Sequence, residues 1–331
     1  MSIAYQFIAL QKYPIRSVLR HCKVAASVYY YKPKQTDLQL GRGIKQSVDT
    51  LCKDGNRVSN VVVIGKIKAL LSQEFVDYGY LKITYYLQDE CQYLINHKKV
   101  YRLMSENKLL NVPIKGIKGT KTWVSQLVPT PQNAFEQWEF DIKFIYIAQE
   151  GKYAPMLSII DVYSRYLIAW QLEWSIKKED VKALFTLIFQ DYQMPKSVIV
   201  RCDNGSQFES YLLQEYFKEI GVVQEFTKPA TPEQNAHIES YHSIIERAVC
   251  RRCELKTLSQ TQDTFGRWVE FYNAERIHSG VGYTSPEKYL KSKNISWKKV
   301  ELQQKSSIFE SLNETEASHA AVQLDRDNLA K

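Results

Sequence analysis

Apolar and polar residues alternate from Gln137 (QWEFDIKFIYIA, 137–148), the period-two pattern of a β-strand with one buried face. Runs at 155–163 and 166–173 flank Tyr163-Ser164-Arg165 and predict two further strands of an antiparallel meander. The pattern then predicts a helix at 178–192, a strand at 197–202, a helix at 208–219, a short strand at 222–226 and a long helix from about 234 to 254. A meander followed by alternating helix and strand predicts an α/β sandwich with a mixed sheet.

Upstream the period is helical. The first thirty residues predict one or two short helices ending before Pro33, and 34–60 is polar with three glycines, a linker or loop. Residues 62–110 predict three helices. Ile67, Leu70 and Leu71 repeat at helical spacing, a turn falls at Asp77-Tyr78-Gly79, Ile83 to Leu87 follow, and a last helix starts after Asn96. That helix places Val100, Leu103 and Met104 on one apolar face, with His97, Lys98, Lys99, Arg102 and Lys108 mainly outside it. A compact basic helix-turn-helix is a shape that enters a major groove, and a small basic helical bundle would give the same pattern. Residues 111–133, rich in Pro and Gly, predict a basic connector, and the last thirty residues a polar, acidic tail.

The 331 residues, 44% hydrophobic and 24% charged, describe an ordinary globular chain of about two domains. The best apolar runs, Val61 to Ile64 and Leu157 to Ile160, are strand-sized, which argues against a membrane span. The amino terminus lacks the pattern of a secretion signal, and the six dispersed cysteines do not resemble a disulfide framework, so a cytoplasmic protein is expected. Charge is uneven. Residues 1–130 hold 20 Lys and Arg against 8 Asp and Glu, whereas the remaining 201 hold 24 against 28. This fits a nucleic-acid-binding part joined to a part with another task, although lysines on solvated helices would give the same count.

Three acidic residues are candidates for that task. Asp141 interrupts a good strand, Asp203 follows the strand Ser-Val-Ile-Val-Arg-Cys and precedes Asn204-Gly205, and Glu239 lies on the long helix, opposite Tyr241 and Ile245. Sixty-one residues separate the two aspartates and thirty-five separate Asp203 from Glu239. Singly each has a plain reading: a turn for Asp203, a solvated helix residue for Glu239, and a charge pair with Lys143 or an arginine for Asp141. Together they could converge as oxygen ligands for hard divalent cations, which activate a hydroxyl and stabilise a leaving oxygen in phosphodiester chemistry.

Residues 135–290 resemble the catalytic core of the retroviral-integrase superfamily, and specifically insertion-sequence transposases with an Asp, Asp, thirty-five residues, Glu signature. The matching segments are Trp138-Glu-Phe-Asp141, Ile160-Asp161-Val-Tyr-Ser-Arg165, Arg201-Cys-Asp203-Asn-Gly-Ser-Gln-Phe208, Thr231-Pro-Glu-Gln-Asn235-Ala-His-Ile-Glu239-Ser and Tyr272-Asn-Ala-Glu-Arg276-Ile-His278-Ser279. Residues 78–110 resemble the helix-turn-helix of the second-frame (orfB) proteins of such elements. The resemblance implies an RNase H-like fold behind an all-α helix-turn-helix region, with segments 1–61, 62–110, 111–134, 135–290 and 291–331. It implies two Mg²⁺ or Mn²⁺ ions held by Asp141, Asp203 and Glu239, cleavage at the element's ends, and attack of the freed 3′-hydroxyl on target DNA. Double-stranded DNA, a homo-oligomer joining two ends, and fusion or association with an upstream-frame (orfA) product are the implied partners. A DNA-binding regulator without catalysis, or a nuclease that cuts without joining, are the alternatives.

Lys98, Lys99 and Arg102 are the candidate duplex contacts. Many relatives carry Lys or Arg seven residues after the catalytic Glu. Here that position is Glu246, so Arg247 or His242 is expected to meet the phosphate instead. Asn204 and Gly205 are expected to shape the site, and Asn235 to cap the Glu239 helix. His237 flanks Glu239, Asp161 is read as structural or site-shaping, and Cys250 and Cys253 carry no strong metal signal without a second pair.

Overall fold

The computed structural model describes residues 2–10, 13–30, 46–111, 131–191, 197–228 and 232–295. Two compact units divide the chain before Asp49. The first holds three short helices, α1 (Ser2–Ala9), α2 (Ile15–His21) and α3 (Ala26–Tyr29), one more than the sequence pattern suggested, with Val18 and Leu19 of α2 buried.

The second unit opens with a hairpin where the sequence reads as a loop. Strands β1 (Asp49–Cys52) and β2 (Arg57–Ser59) pair antiparallel across a turn in which Asp54 accepts hydrogen bonds from Asn56 and Gly55 takes φ +87°. Three helices follow as expected: α4 (Asn60–Leu71), capped by the Ser59 hydroxyl, α5 (Tyr80–Asp89), and α6 (His97–Glu106), capped by the Asn96 side chain. Between α5 and α6 the two-residue strand β3 (Tyr93–Leu94) pairs with β1, giving a sheet of order β2-β1-β3 beside the helices. Val63, Ile67, Leu70, Ile83, Leu87, Val100, Leu103 and Met104 bury together.

The second sheet carries the chemistry. β4 (Gln137–Ile147), β5 (Lys152–Asp161) and β6 (Leu167–Leu172) form the predicted antiparallel meander, and β7 (Ile199–Cys202) and β8 (Val223–Phe226) extend it in parallel, for the order β6-β5-β4-β7-β8. Alternation along β4 divides two layers. Trp138 and Phe140 face α7 (Lys178–Asp191) and α8 (Tyr211–Glu219), packing with Phe185, Phe208 and Phe217. Ile145 and Ile147 face α9 (Ala236–Ile245) and α10 (Leu258–Ala274). By the same period, Glu139, Asp141 and Lys143 point toward the α9 side. The expected helix over 234–254 is shorter: α9 gives way to a π-helical turn at Glu246–Cys250, and the chain turns by Arg251. A last helix, α11 (Pro286–Ser292), starts with Pro at its first turn and the Ser285 hydroxyl as cap.

The α4–α6 region and the core are tied at many points. Phe75 enters the core edge-on to Trp268, Asp77 pairs with Arg276 at 2.6 Å, and the Tyr78 hydroxyl accepts the Ile277 N–H. Tyr85 stacks on Tyr283 with centroids 4.0 Å apart, and Lys288 pairs with Glu90. The expected connector (112–130 of it) and the carboxyl-terminal tail lie outside the described residues.

Candidate active site and its relatives

Parallel pairing of β4 with β7 sets Glu139 opposite Arg201. Continuing that register by two residues sets Asp141 opposite Asp203, which follows the last residue of β7. Asp203 closes a tight loop: one carboxylate oxygen accepts the Gly205 N–H at 3.0 Å, and the Asn204 amide donates to the Thr227 carbonyl just beyond β8. Asn204 and Gly205 thus order the loop that carries Asp203. A Cβ on Gly205 would sit 3.0 Å from that Asp203 oxygen and 3.2 Å from the buried Phe208 ring. Gly205→Ala should therefore push Asp203 aside and cost about 10²-fold in turnover while the fold persists. Unchanged turnover in a folded variant would mean the Asp203 position is not critical.

Glu239 projects from the solvent side of the first turn of α9. The charges of Asp203 and Glu239 both act on Asp141. Burial, together with those charges, pushes the Asp141 carboxyl up to about 7, against one favourable hydrogen bond from the Ile142 N–H. Since an unfolded aspartate ionises near ~3.9, this group's contribution to stability is fully present below that pH. It is lost as pH rises toward 7. Metal-free Asp141→Asn protein should consequently show a flatter urea midpoint between pH 4 and 7 and unfold later than wild type at pH 7. Identical pH profiles would refute a raised Asp141 pKa.

Oxygen donors of this kind suit a hard divalent cation, and a cation would offset their repulsion. Among the described residues, no three His, Cys, Asp or Glu side chains are already gathered as a ligand cluster.

Several neighbours hold the site in ways the sequence did not show. Glu139 is fully buried and accepts the backbone N–H groups of His237 (2.8 Å) and Ile238 (2.9 Å), and its other oxygen lies 2.8 Å from the His237 ring. It thus caps α9 from the sheet. Asn235 sits at the cap position but makes no capping bond, and its side-chain oxygen is buried without a partner, which corrects the expected role. Arg201 donates to Glu225 and to the Gln234 carbonyl, fixing β8 and the turn before α9. Asp161 is buried and accepts bonds from the Phe135 N–H and from the N–H and hydroxyl of Ser164, so it organises the turn after β5.

The candidate DNA contacts fare unevenly. His242 lies 3.5 Å from Asp141, and burial together with Lys143 holds its pKa down to about 3. A neutral imidazole turned toward Asp141 does not supply the expected phosphate contact. Lys143 pairs with Glu246 rather than with Asp141, and Arg247 lies 3.5 Å from Asp77. On α6, Lys98 is exposed, Lys99 donates to the Asp49 carbonyl of β1, and Arg102 pairs with Glu106. Lys99 is thereby engaged in holding the hairpin rather than presented to a duplex.

Comparison with known families bears directly on this arrangement. The family described as Integrase core domain matches residues 131–232, a second of the same description matches 220–286, and HTH-like domain matches 62–116. The transposase for insertion sequence element IS904 of Lactococcus lactis is 24% identical over 245 residues, covering 71% of this chain and 96% of its own. The chain belongs to the insertion-sequence transposases of the integrase superfamily. InsK, named for element IS150 of Escherichia coli, is 23% identical across 84% of this transposase and 94% of its own length. Among solved structures, the HTLV-2 integrase catalytic core domain in complex with magnesium aligns over 45% of this chain and 93% of its own, at 13% identity and TM-score 0.36. The transposase thus joins an HTH-like domain to an integrase core with a mixed sheet, the fold class expected from its sequence. Among the described residues, no helix is long and apolar enough to cross a membrane.

Proposed function

We propose that this transposase cleaves the 3′ ends of its mobile element and joins them to target DNA, using Asp141, Asp203 and Glu239 to hold two Mg²⁺ or Mn²⁺ ions. The observation that carries the reading is the charge of Asp203 and Glu239 felt at Asp141 on the α9 face of the sheet. When bound, the ions would supply an activated hydroxyl and a stabilised leaving oxygen. Asp141 offers a ligand from a strand whose position both neighbouring strands fix. Asp203 offers one from a loop pinned by Gly205 and Asn204. Glu139 orients the helix that delivers Glu239, and His242, neutral at working pH, crowds water from the Asp141 carboxylate. The HTH-like region brings duplex DNA to this site, with Lys98 the α6 cation best placed to meet it. A homo-oligomer would hold two ends together, and an orfA product, fused or associated, is the expected further partner.

The test is a cleavage and strand-transfer assay on labelled terminal duplexes of the element, with Mg²⁺, with Mn²⁺ and with chelator. The reading expects 3′ nicks and joined products only with a divalent ion. Equal products with chelator would overturn it. Nicks without joining would reassign the chain as a nuclease, and binding without either would reassign it as a regulator.

A further inference from the structure

Lys82 of α5, Arg247 of the π-helical turn and Arg276 after α10 line a cavity of about 320 Å³ together with Asp77, Ser279 and Tyr283. The three cations come from separate parts of the chain and face a single acid. Asp77 sits 2.6 Å from Arg276 and 3.5 Å from Arg247, while Lys82 has no ion-pair partner among the described residues. Arg276 and Lys82 both lie over the Tyr78 ring, at 5.7 and 5.3 Å, and Arg276 also lies over Trp268. The guanidinium is therefore rigidly placed. It is also fully buried, and its Nε and Nη1 find no hydrogen-bond acceptor. A buried guanidinium with two unmet donors is costly unless an anion meets it. Tyr283, held by its stack on Tyr85, closes one wall.

We propose that this cavity is a phosphate-binding site at the junction of the HTH-like region and the core. A phosphate oxygen can accept from an arginine fork while a lysine balances the remaining charge. One acid against three cations leaves the cavity short of negative charge, which an entering phosphate would supply. The source of the phosphate is either a phosphodiester of DNA crossing the junction or free phosphate. The Lys82 ammonium agrees with this, since burial and the Arg276 charge lower its pKa to about 7, and an entering anion would favour its charged form. His278, behind Arg276, is held neutral by burial and the same cations, so it adds no competing charge.

The full chain would be titrated with inorganic phosphate by calorimetry and with duplex DNA over a range of salt. Wild type, Lys82→Gln and Arg247→Gln would be compared, with thermal melts confirming that each folds. Arg247 is half exposed, so its variant remains informative if Lys82→Gln fails to fold. The proposal expects saturable phosphate binding that weakens at least tenfold in each variant. If DNA is the source, the slope of log affinity against log salt also falls by about 1 in each variant, equally on any sequence. Weakened phosphate binding with an unchanged duplex slope would assign the site to free phosphate. Absence of phosphate binding by wild type, with duplex affinity and slope alike in all three proteins, would overturn the site. The duplex arm rests on the proposed function. A wild type that binds phosphate but no duplex would defeat that function and leave the cavity's assignment standing.

Discussion

Asp203→Asn and Glu239→Gln should each lower end cleavage and strand transfer by at least 10³-fold while leaving duplex affinity within about twofold of wild type. Each change is nearly isosteric and removes one ligand charge, so the metal site loses affinity and geometry without loss of packing. Glu239 is exposed on α9 and Asp203 lies beyond the last residue of β7, so neither supports the core. The expected loss, about 4 kcal/mol of transition-state stabilisation, follows from taking away a ligand needed throughout the reaction. The decisive readout is the pair of measurements together. Full activity in either variant would remove that carboxylate from the mechanism, and a parallel fall in duplex affinity would point to a DNA contact instead.

Glu139→Ala should be the most destabilising single change near the site. It strips acceptors from two backbone N–H groups and the His237 ring at the start of α9, and leaves a hole in a fully buried position. Unmet buried donors cost about 1–3 kcal/mol each, so a loss on the order of 3 kcal/mol is expected in a denaturant titration. Glu139→Gln keeps the volume and one carbonyl acceptor, and should recover about half of that loss. Because α9 carries Glu239, the Gln variant should also need more Mg²⁺ for half-maximal cleavage. A Gln variant with normal stability and normal metal requirement would show that the cap does not position the helix.

The meander was legible because β4 opens with apolar and polar residues alternating over 137–144, which marks a strand from sequence. Asp141 was legible as an aspartate in the middle of a strand, where that residue type is disfavoured. Glu139 was not, because at a polar place in an alternating strand it looks like an exposed residue, and its partners lie 98 and 99 residues away. The β1–β2 hairpin was missed because its strands are four and three residues long, and their other support, β3, is only two. No local period emerges from such short pieces. Asn235 shows the reverse case: cap chemistry was present in sequence, but the buried carboxylate of β4 took the role. The shortened Glu239 helix reflects the π-helical turn, a tertiary adjustment that periodicity does not announce.

The links from Phe75, Asp77, Tyr85 and Glu90 to residues 268–288 make the HTH-like region and the core one body. On the proposed function, that body measures DNA. The interval between the base pairs read by the HTH-like region and the phosphate that is cut becomes a property of the protein, fixed in both length and helical phase. Moving the read sequence by five base pairs would turn it to the opposite side of the duplex, where no bend of a flexible tether could bring it back.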